Sequence, residues 1–139
     1  MTRSTLRAVC LMLAACASTL PVDAAVARSA ADFGDAETVE VKLSNFDFTP
    51  KQIVLTDGKP YLLRLINTAS GGHDFTAPQF FAAARVAPED AARVGKGRIK
   101  LNGHQAAEIH LVPHAGEFRL VCRHFGHSML GMTGKIIVR

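Results

Sequence analysis

From Glu37 onward the sequence consists of short β-type runs separated by turn signals, and this pattern constrains the fold most. In ETVEVKLSN, apolar and polar residues alternate, which predicts a half-buried strand. PYLLRLIN, residues 60–67, is more continuously apolar and predicts a central strand. Further strands are predicted for QIVL, GRIKL, AAEIHLV, EFRLVC and GKIIVR. Short strands with turns at regular spacing indicate an all-β protein, an antiparallel sandwich.

A short helical insertion is predicted around residues 78–95. PQFFAAARV begins with Pro78 and PEDAARV begins with Pro88, and proline is common at the first position of a helix. The preceding segment TASGGHDFTAP is predicted to be a loop that carries His73. The insertion leaves the fold class unchanged.

The N-terminal segment has the three-part pattern of a secretory signal peptide. Arg3 and Arg7 precede an apolar run, and small residues follow it. The run is shorter than the roughly 20 residues that span a bilayer, so no membrane span is predicted. Leu-Ala-Ala-Cys ending at Cys16 resembles a lipobox, which leaves a lipid anchor at Cys16 as the alternative to soluble export.

These features divide the chain into a signal peptide (1–27), a flexible linker (28–36) and one domain (37–139), and they predict a periplasmic location. The formal net charge is +4, with 16 Lys and Arg against 12 Asp and Glu. No basic run interleaves with aromatic residues, so nucleic-acid binding is not predicted. Nothing in the sequence demands more than a monomer.

Cys122 would be the only cysteine of the exported domain, because Cys10 and Cys16 lie in the leader. It cannot form an intramolecular disulfide there, and a lone thiol in an oxidising compartment needs burial or a ligand. Phe118, Leu120 and Cys122 alternate onto one face of EFRLVC. The pattern therefore places Cys122 at the inward-facing end of a strand.

The spacing Cys122-x4-His127-x4-Met132 brings together a thiolate, an imidazole and a thioether. This set suits copper in a trigonal His2Cys site with a weak axial methionine. One histidine is missing from the loop, and His73 is the best candidate for it. Met129 is the alternative to Met132 as the axial ligand, and it is interpreted as a residue at the rim of the site. Zinc could use Cys and His, but the methionine argues against it as the native metal.

The segments GGHDF, AGEFRLVC and CRHFGHSMLGMTGKIIV resemble those of cupredoxins, the small blue (type 1) copper proteins of the plastocyanin and azurin kind. The resemblance covers roughly residues 37–139. It implies a Greek-key β-sandwich of about eight strands, with one copper ion near one end. The family ligands correspond here to His73, Cys122, His127 and Met132.

Two residues depart from the family pattern. Many members have asparagine directly after the first histidine, where it braces the cysteine loop, and this chain has Asp74. Many relatives with this loop spacing have proline before the Gly-His pair, and this chain has Phe125 with His124 beside it. His124 is a candidate ligand or a partner of one. His104, His110 and His114 are interpreted as turn or outward-facing residues.

The resemblance implies a one-electron carrier rather than an enzyme. In the family the second loop histidine, here His127, reaches the surface within an apolar patch, for which Phe125, Met129 and Leu130 are available. A redox partner protein is therefore expected to dock transiently near His127. The alternative function is copper binding and delivery without a redox role, which the extra His124 favours.

Overall fold

The computed structural model describes residues 33–124 and 132–139. The predicted signal peptide, Cys16 and most of the predicted linker lie outside these residues. So do Phe125, His127, Met129 and Leu130 of the cysteine loop. Within the described ranges, no helix is long and apolar enough to cross a membrane.

Ten strands in the described residues form two five-stranded sheets. The first sheet contains β1 (Glu37–Ser44), β2 (Asp47–Thr49), β4 (Tyr61–Asn67), β6 (Arg85–Val86) and β8 (Ala106–Val112) in the order β2-β1-β4-β8-β6. The second contains β3 (Gln52–Leu55), β5 (His73–Thr76), β7 (Arg98–Leu101), β9 (Gly116–Val121) and β10 (Thr133–Val138) in the order β3-β10-β9-β5-β7. The one α-helix among these residues is α1 (Pro78–Ala83), and a 3₁₀ turn covers Ala91–Arg93.

The predicted all-β sandwich with a short helical insertion is confirmed, but its sheets are mixed rather than antiparallel. β1 pairs with β4 in parallel, and β3 pairs with β10 in parallel. The chain leaves the first sheet after β2, adds β3 to the second sheet and returns as β4 beside β1. Alternation within a strand reports which face is buried but not which strand lies next to it.

The prediction of a loop at His73 is wrong, because residues 73–76 form strand β5 between β7 and β9. All four residues of β5 are buried, and three of them are polar, which hides the strand from an apolar pattern. The predicted helix from Pro78 ends at Ala83, since Arg85–Val86 instead pairs with β8. PEDAARV contains only the short 3₁₀ turn.

The core lies between the two sheets. Its largest fully buried side chains include Phe48, Phe75, Phe80, Leu65 and Ile109. Phe75 meets Phe48 edge-on at 6.1 Å between ring centroids. Burying one large apolar side chain stabilises the folded chain by about 1.5–3 kcal/mol relative to leaving it exposed. This apolar layer therefore gives the sandwich a rigid core next to the buried polar residues of β5.

His110 ties the helical insertion to the first sheet, a role that the sequence did not reveal. The Asp90 carboxylate accepts the His110 backbone N–H at 2.9 Å and lies 3.0 Å from His110 Nδ1. Phe33, which the sequence assigned to the linker, is buried and packs edge-on against the His110 ring at 5.9 Å.

Candidate metal site

Three of the four predicted ligands converge at one end of the sandwich. His73 opens β5, Cys122 directly follows β9, and Met132 directly precedes β10. All three are buried, with exposed fractions of 2%, 0% and 0%. His73 Nδ1 lies 3.1 Å from Met132 Sδ and 3.9 Å from Cys122 Sγ. The fourth, His127, lies outside the described residues.

The neighbouring β9 and β10 strands bring Cys122 and Met132 together. Thr133 pairs with Val121 in the antiparallel register, and the Cys122 backbone N–H donates to the Met132 carbonyl at 3.1 Å. The hydrogen bonds between β9 and β10 therefore fix both ends of the loop that connects Cys122 to Met132. Inward-facing Leu120 and outward-facing Arg119 confirm the predicted alternation along β9.

Asn45 fixes the tautomer of His73. Its amide oxygen Oδ1 accepts from His73 Nε2 at 2.9 Å, so Nε2 carries the ring proton. Nδ1 then presents its lone pair toward the two sulfur atoms. Metal-binding histidines commonly use such a partner on the second nitrogen to set ring orientation.

The Cys122 thiol is protected by burial. Loss of hydration raises the pKa of this thiol, while the backbone N–H groups of Asp74 and His124 donate to the sulfur and oppose the rise in pKa. The Asp74 N–H lies 3.4 Å from Sγ. A metal must displace the thiol proton to bind, and the same two N–H groups then remain as donors to the thiolate.

Asp74 braces the cysteine segment through its side chain. Oδ1 accepts the Arg123 backbone N–H at 2.7 Å and the Thr76 hydroxyl at 2.6 Å. Oδ2 accepts from Arg98 on the neighbouring strand β7. The carboxylate is 1% exposed, so Arg98 is what balances its buried charge. The negative charge that the sequence predicted beside the site is therefore paired.

Asn67 holds the loop that leads into His73. Its Nδ2 donates to the carbonyls of Gly71 at 2.8 Å and Asn102 at 2.9 Å, and its Oδ1 accepts the Ala69 N–H at 3.0 Å. This loop also packs closely on the β7–β8 turn. A Cβ atom on Gly103 would lie 2.0 Å from the Ser70 carbonyl oxygen, so only glycine fits there.

His124 covers the glycine segment before His73. A Cβ atom on Gly72 would lie 3.2 Å from His124 Cε1 and 3.6 Å from its Nδ1. The imidazole therefore lies against the backbone immediately before a candidate ligand. The sequence had singled out this histidine without settling its direction.

The donor set fits copper. A nitrogen and a thiol sulfur 3.9 Å apart can both reach a metal between them, since bonds of about 2.0 Å to nitrogen and about 2.3 Å to sulfur are typical of such sites. A buried imidazole, thiol and thioether are soft to borderline ligands, and hard cations prefer oxygen. The cluster can hold a soft metal ion at the edge of the apolar core.

The chain belongs to the cupredoxin family, since the model of the cupredoxin-like domain matches residues 6–138. A comparison with curated protein sequences finds no match.

Solved structures of auracyanins are similar in fold. Auracyanin A, a "blue" copper protein from the green thermophilic photosynthetic bacterium Chloroflexus aurantiacus, is 19% identical with a TM-score of 0.54, over 75% of this chain and 99% of its own. Dithionite-reduced auracyanin from Roseiflexus castenholzii is 17% identical with a TM-score of 0.56, over 76% and 99%. Auracyanin B is 19% identical with a TM-score of 0.55, over 75% and 89%.

Proposed function

We propose that the protein is an exported, monomeric one-electron carrier with a single copper ion held by His73, Cys122, His127 and Met132. The observation that carries this proposal is the convergence of His73 Nδ1, Cys122 Sγ and Met132 Sδ in a buried cluster. Family membership and the auracyanin-like fold support it. No enzymatic role is proposed. The periplasm is the proposed location, with a lipid anchor at Cys16 as the alternative.

The protein's part in this function is to preorganise the ligands and exclude water. Asn45 orients His73, the Asp74 N–H donates to Cys122 Sγ, and the sheet ladder between β9 and β10 fixes the base of the loop. Copper held by His73, Cys122, His127 and Met132 would supply the one-electron chemistry by alternating between Cu(I) and Cu(II). A rigid ligand set acceptable to both states keeps reorganisation small.

The Cys122→Ser substitution tests the site. The protein reconstituted with Cu(II) should show an intense visible thiolate-to-copper charge-transfer band, and this band should be absent from Cys122→Ser because a hydroxyl cannot supply it. Met129→Leu provides a control, since Met129 is interpreted as a rim residue and its replacement should leave the band unchanged. A pale wild-type spectrum, or a band that survives Cys122→Ser, would contradict the proposal.

His127→Gly tests the route of electron exchange. The variant should keep its fold and an open copper position, while its electron self-exchange rate falls at least about tenfold, because the imidazole edge through which electrons would pass is gone. Stopped-flow or line-broadening measurements give the rate. Adding free imidazole should restore part of it, and an unchanged rate in His127→Gly would contradict the assignment.

Copper delivery without redox work is the second candidate. The placement of His124 against Gly72, next to a proposed ligand, favours it because a nearby imidazole offers copper an exit ligand. Rapid transfer of copper to an acceptor, coupled with very slow self-exchange and loss of the transfer in His124→Ala, would select this function over electron transport.

A further inference from the structure

The outer face of the second sheet, together with the segment that precedes β7, concentrates positive charge next to the candidate metal site. We define the cationic face by six side chains: Arg93, Lys96, Arg98, Lys100, Arg119 and Arg123. In the backbone register of β5 and β7, Lys100 lies opposite Asp74 and Arg98 lies opposite Thr76. Lys100 and Arg98 are two residues apart in β7, so their side chains lie on the same face of the sheet. Thr76 in turn pairs with Val121 of β9.

Two adjoining grooves connect these cations. One is lined by Arg93, Lys96, Arg98 and Lys100, and the other by Thr76, Gln79, Arg119 and Arg123. Because Thr76 lies opposite Arg98, the grooves meet at β5. The face borders the metal site there, since Arg98 contacts Asp74 and the Asp74 N–H donates to Cys122 Sγ.

The charge of the cationic face is not cancelled locally. Two of its six cations are paired, Arg98 with Asp74 and Arg93 with Asp90. In the part of the chain that the structure describes, Lys96, Lys100, Arg119 and Arg123 are exposed and form no ion pair.

Six cations less two carboxylates leave +4 on this face. The other seven cations and eight carboxylates of the described ranges sum to −1. On the first sheet, Lys42 and Arg64 are matched by Glu40 and Glu108. The positive charge of the domain is therefore concentrated on the side that borders the metal site.

We propose that the cationic face docks an acidic redox protein, which exchanges electrons with the site described above. The proposal rests on the proposed function. Opposite charges on two small carriers speed encounter and orient the partners, while leaving the complex transient. Docking itself involves no covalent step. It adds a partner class and a second contact region to the docking expected near His127.

A protein partner fits this face better than an anionic membrane does. Membrane-surface segments combine basic residues with apolar side chains that enter the headgroup region. Among the described residues, the exposed large apolar side chains are Phe46 and Val54. Phe46 follows β1 of the other sheet, and Val54 lies in β3 at the far edge from β7. As far as the described residues show, the cationic face therefore has charge without an apolar anchor.

Binding to a fluorescently labelled, oxidised plant-type ferredoxin, a small acidic redox protein, tests the proposal. The assay uses the complete protein in its mature, cell-processed form and without copper, so that binding is measured independently of electron transfer. Anisotropy is measured at ionic strengths of about 0.01 M and about 0.15 M, where the Debye length falls from about 30 Å to about 8 Å. Binding should weaken at least about tenfold over this range.

Two charge-matched triple variants separate the face from net charge. Lys96→Gln/Lys100→Gln/Arg119→Gln should weaken low-salt binding about tenfold and remove most of the salt dependence. Lys42→Gln/Lys51→Gln/Arg64→Gln removes the same charge elsewhere and should stay within about twofold of wild type. Equal losses in the two variants would overturn the proposal. Thermal unfolding of both variants verifies that they are folded.

Vesicles of phosphatidylserine and phosphatidylcholine distinguish a membrane from a protein partner. Cosedimentation at about 0.15 M salt that depends on the cationic face, without face-dependent ferredoxin binding, would overturn the proposal in favour of a lipid surface. Absence of the blue copper band would defeat the proposed function but would leave the copper-free anisotropy result intact. The two failures are thus distinguishable.

Discussion

Replacing Arg98 with leucine should destabilise the copper-free fold by about 3–5 kcal/mol, because it leaves the Asp74 carboxylate buried without its ion pair. Asp74 is 1% exposed, whereas the Arg98 side chain is 30% exposed. The hydrogen bonds that Asp74 accepts from the Arg123 backbone N–H and the Thr76 hydroxyl remain, but they do not neutralise the charge of the carboxylate. Urea unfolding of the copper-free protein gives the free energy directly.

The asymmetry of burial predicts an unequal pair of single variants. Asp74→Asn should cost about 1–2 kcal/mol, since the asparagine oxygen still accepts from Arg123 N–H and the freed Arg98 can turn toward water. The double variant Asp74→Asn/Arg98→Leu should be about 1 kcal/mol more stable than Arg98→Leu, which gives a coupling energy of about 2–3 kcal/mol. Arg119→Leu, on the same sheet, should change stability by no more than about 0.5 kcal/mol.

Equal losses in Arg98→Leu and Arg119→Leu would show that Arg98 does not balance Asp74. A double variant as unstable as Arg98→Leu would contradict the same idea from the other side, because removing the charge would then bring no relief. Either result would mean that Asp74 holds the cysteine segment through ordinary hydrogen bonds, without a contribution from charge balance by Arg98.

The β-sandwich could be predicted from the sequence because strand alternation and turn residues are local signals. In β4, for example, the continuous apolar run of the sequence predicts a central strand, and every second residue of that strand is buried. Strand β5 could not be predicted in this way, since His73, Asp74 and Thr76 are buried polar residues. They are stabilised by partners on other strands, and sequence periodicity carries no record of those partners.

The same reason separates the predicted ligands from the residues that support them. His73, Cys122 and Met132 were chosen for their metal-binding chemistry, and the structure brings their donor atoms together. Asn45 and Asn67 act through hydrogen bonds whose partners lie 28 and up to 35 residues away. An asparagine near a turn is ordinarily a turn residue, so only the register of the sheets reveals that these two hold the site.

Asn67→Ala should destabilise the protein by about 2–4 kcal/mol, because the side chain is 1% exposed and serves several backbone groups at once. The carbonyls of Gly71 and Asn102 lose a donor, and the Ala69 N–H loses its acceptor. The loop that positions His73 is then less constrained, so copper release to a chelator should also become at least several-fold faster than in wild type.

Two matched variants define what the Asn67 result means. Asn67→Asp keeps the acceptor for Ala69 but places a carboxylate against the carbonyls of Gly71 and Asn102, so it should be at least as destabilising as Asn67→Ala. Asn102→Ala changes an exposed side chain of the same turn and keeps the carbonyl, so it should remain within about 0.5 kcal/mol of wild type. If Asn67→Asp were as stable as wild type, the amide donors would be unimportant. The loop before His73 would then be held by backbone contacts alone, such as the Asn67 N–H to the Gln105 carbonyl at 2.8 Å.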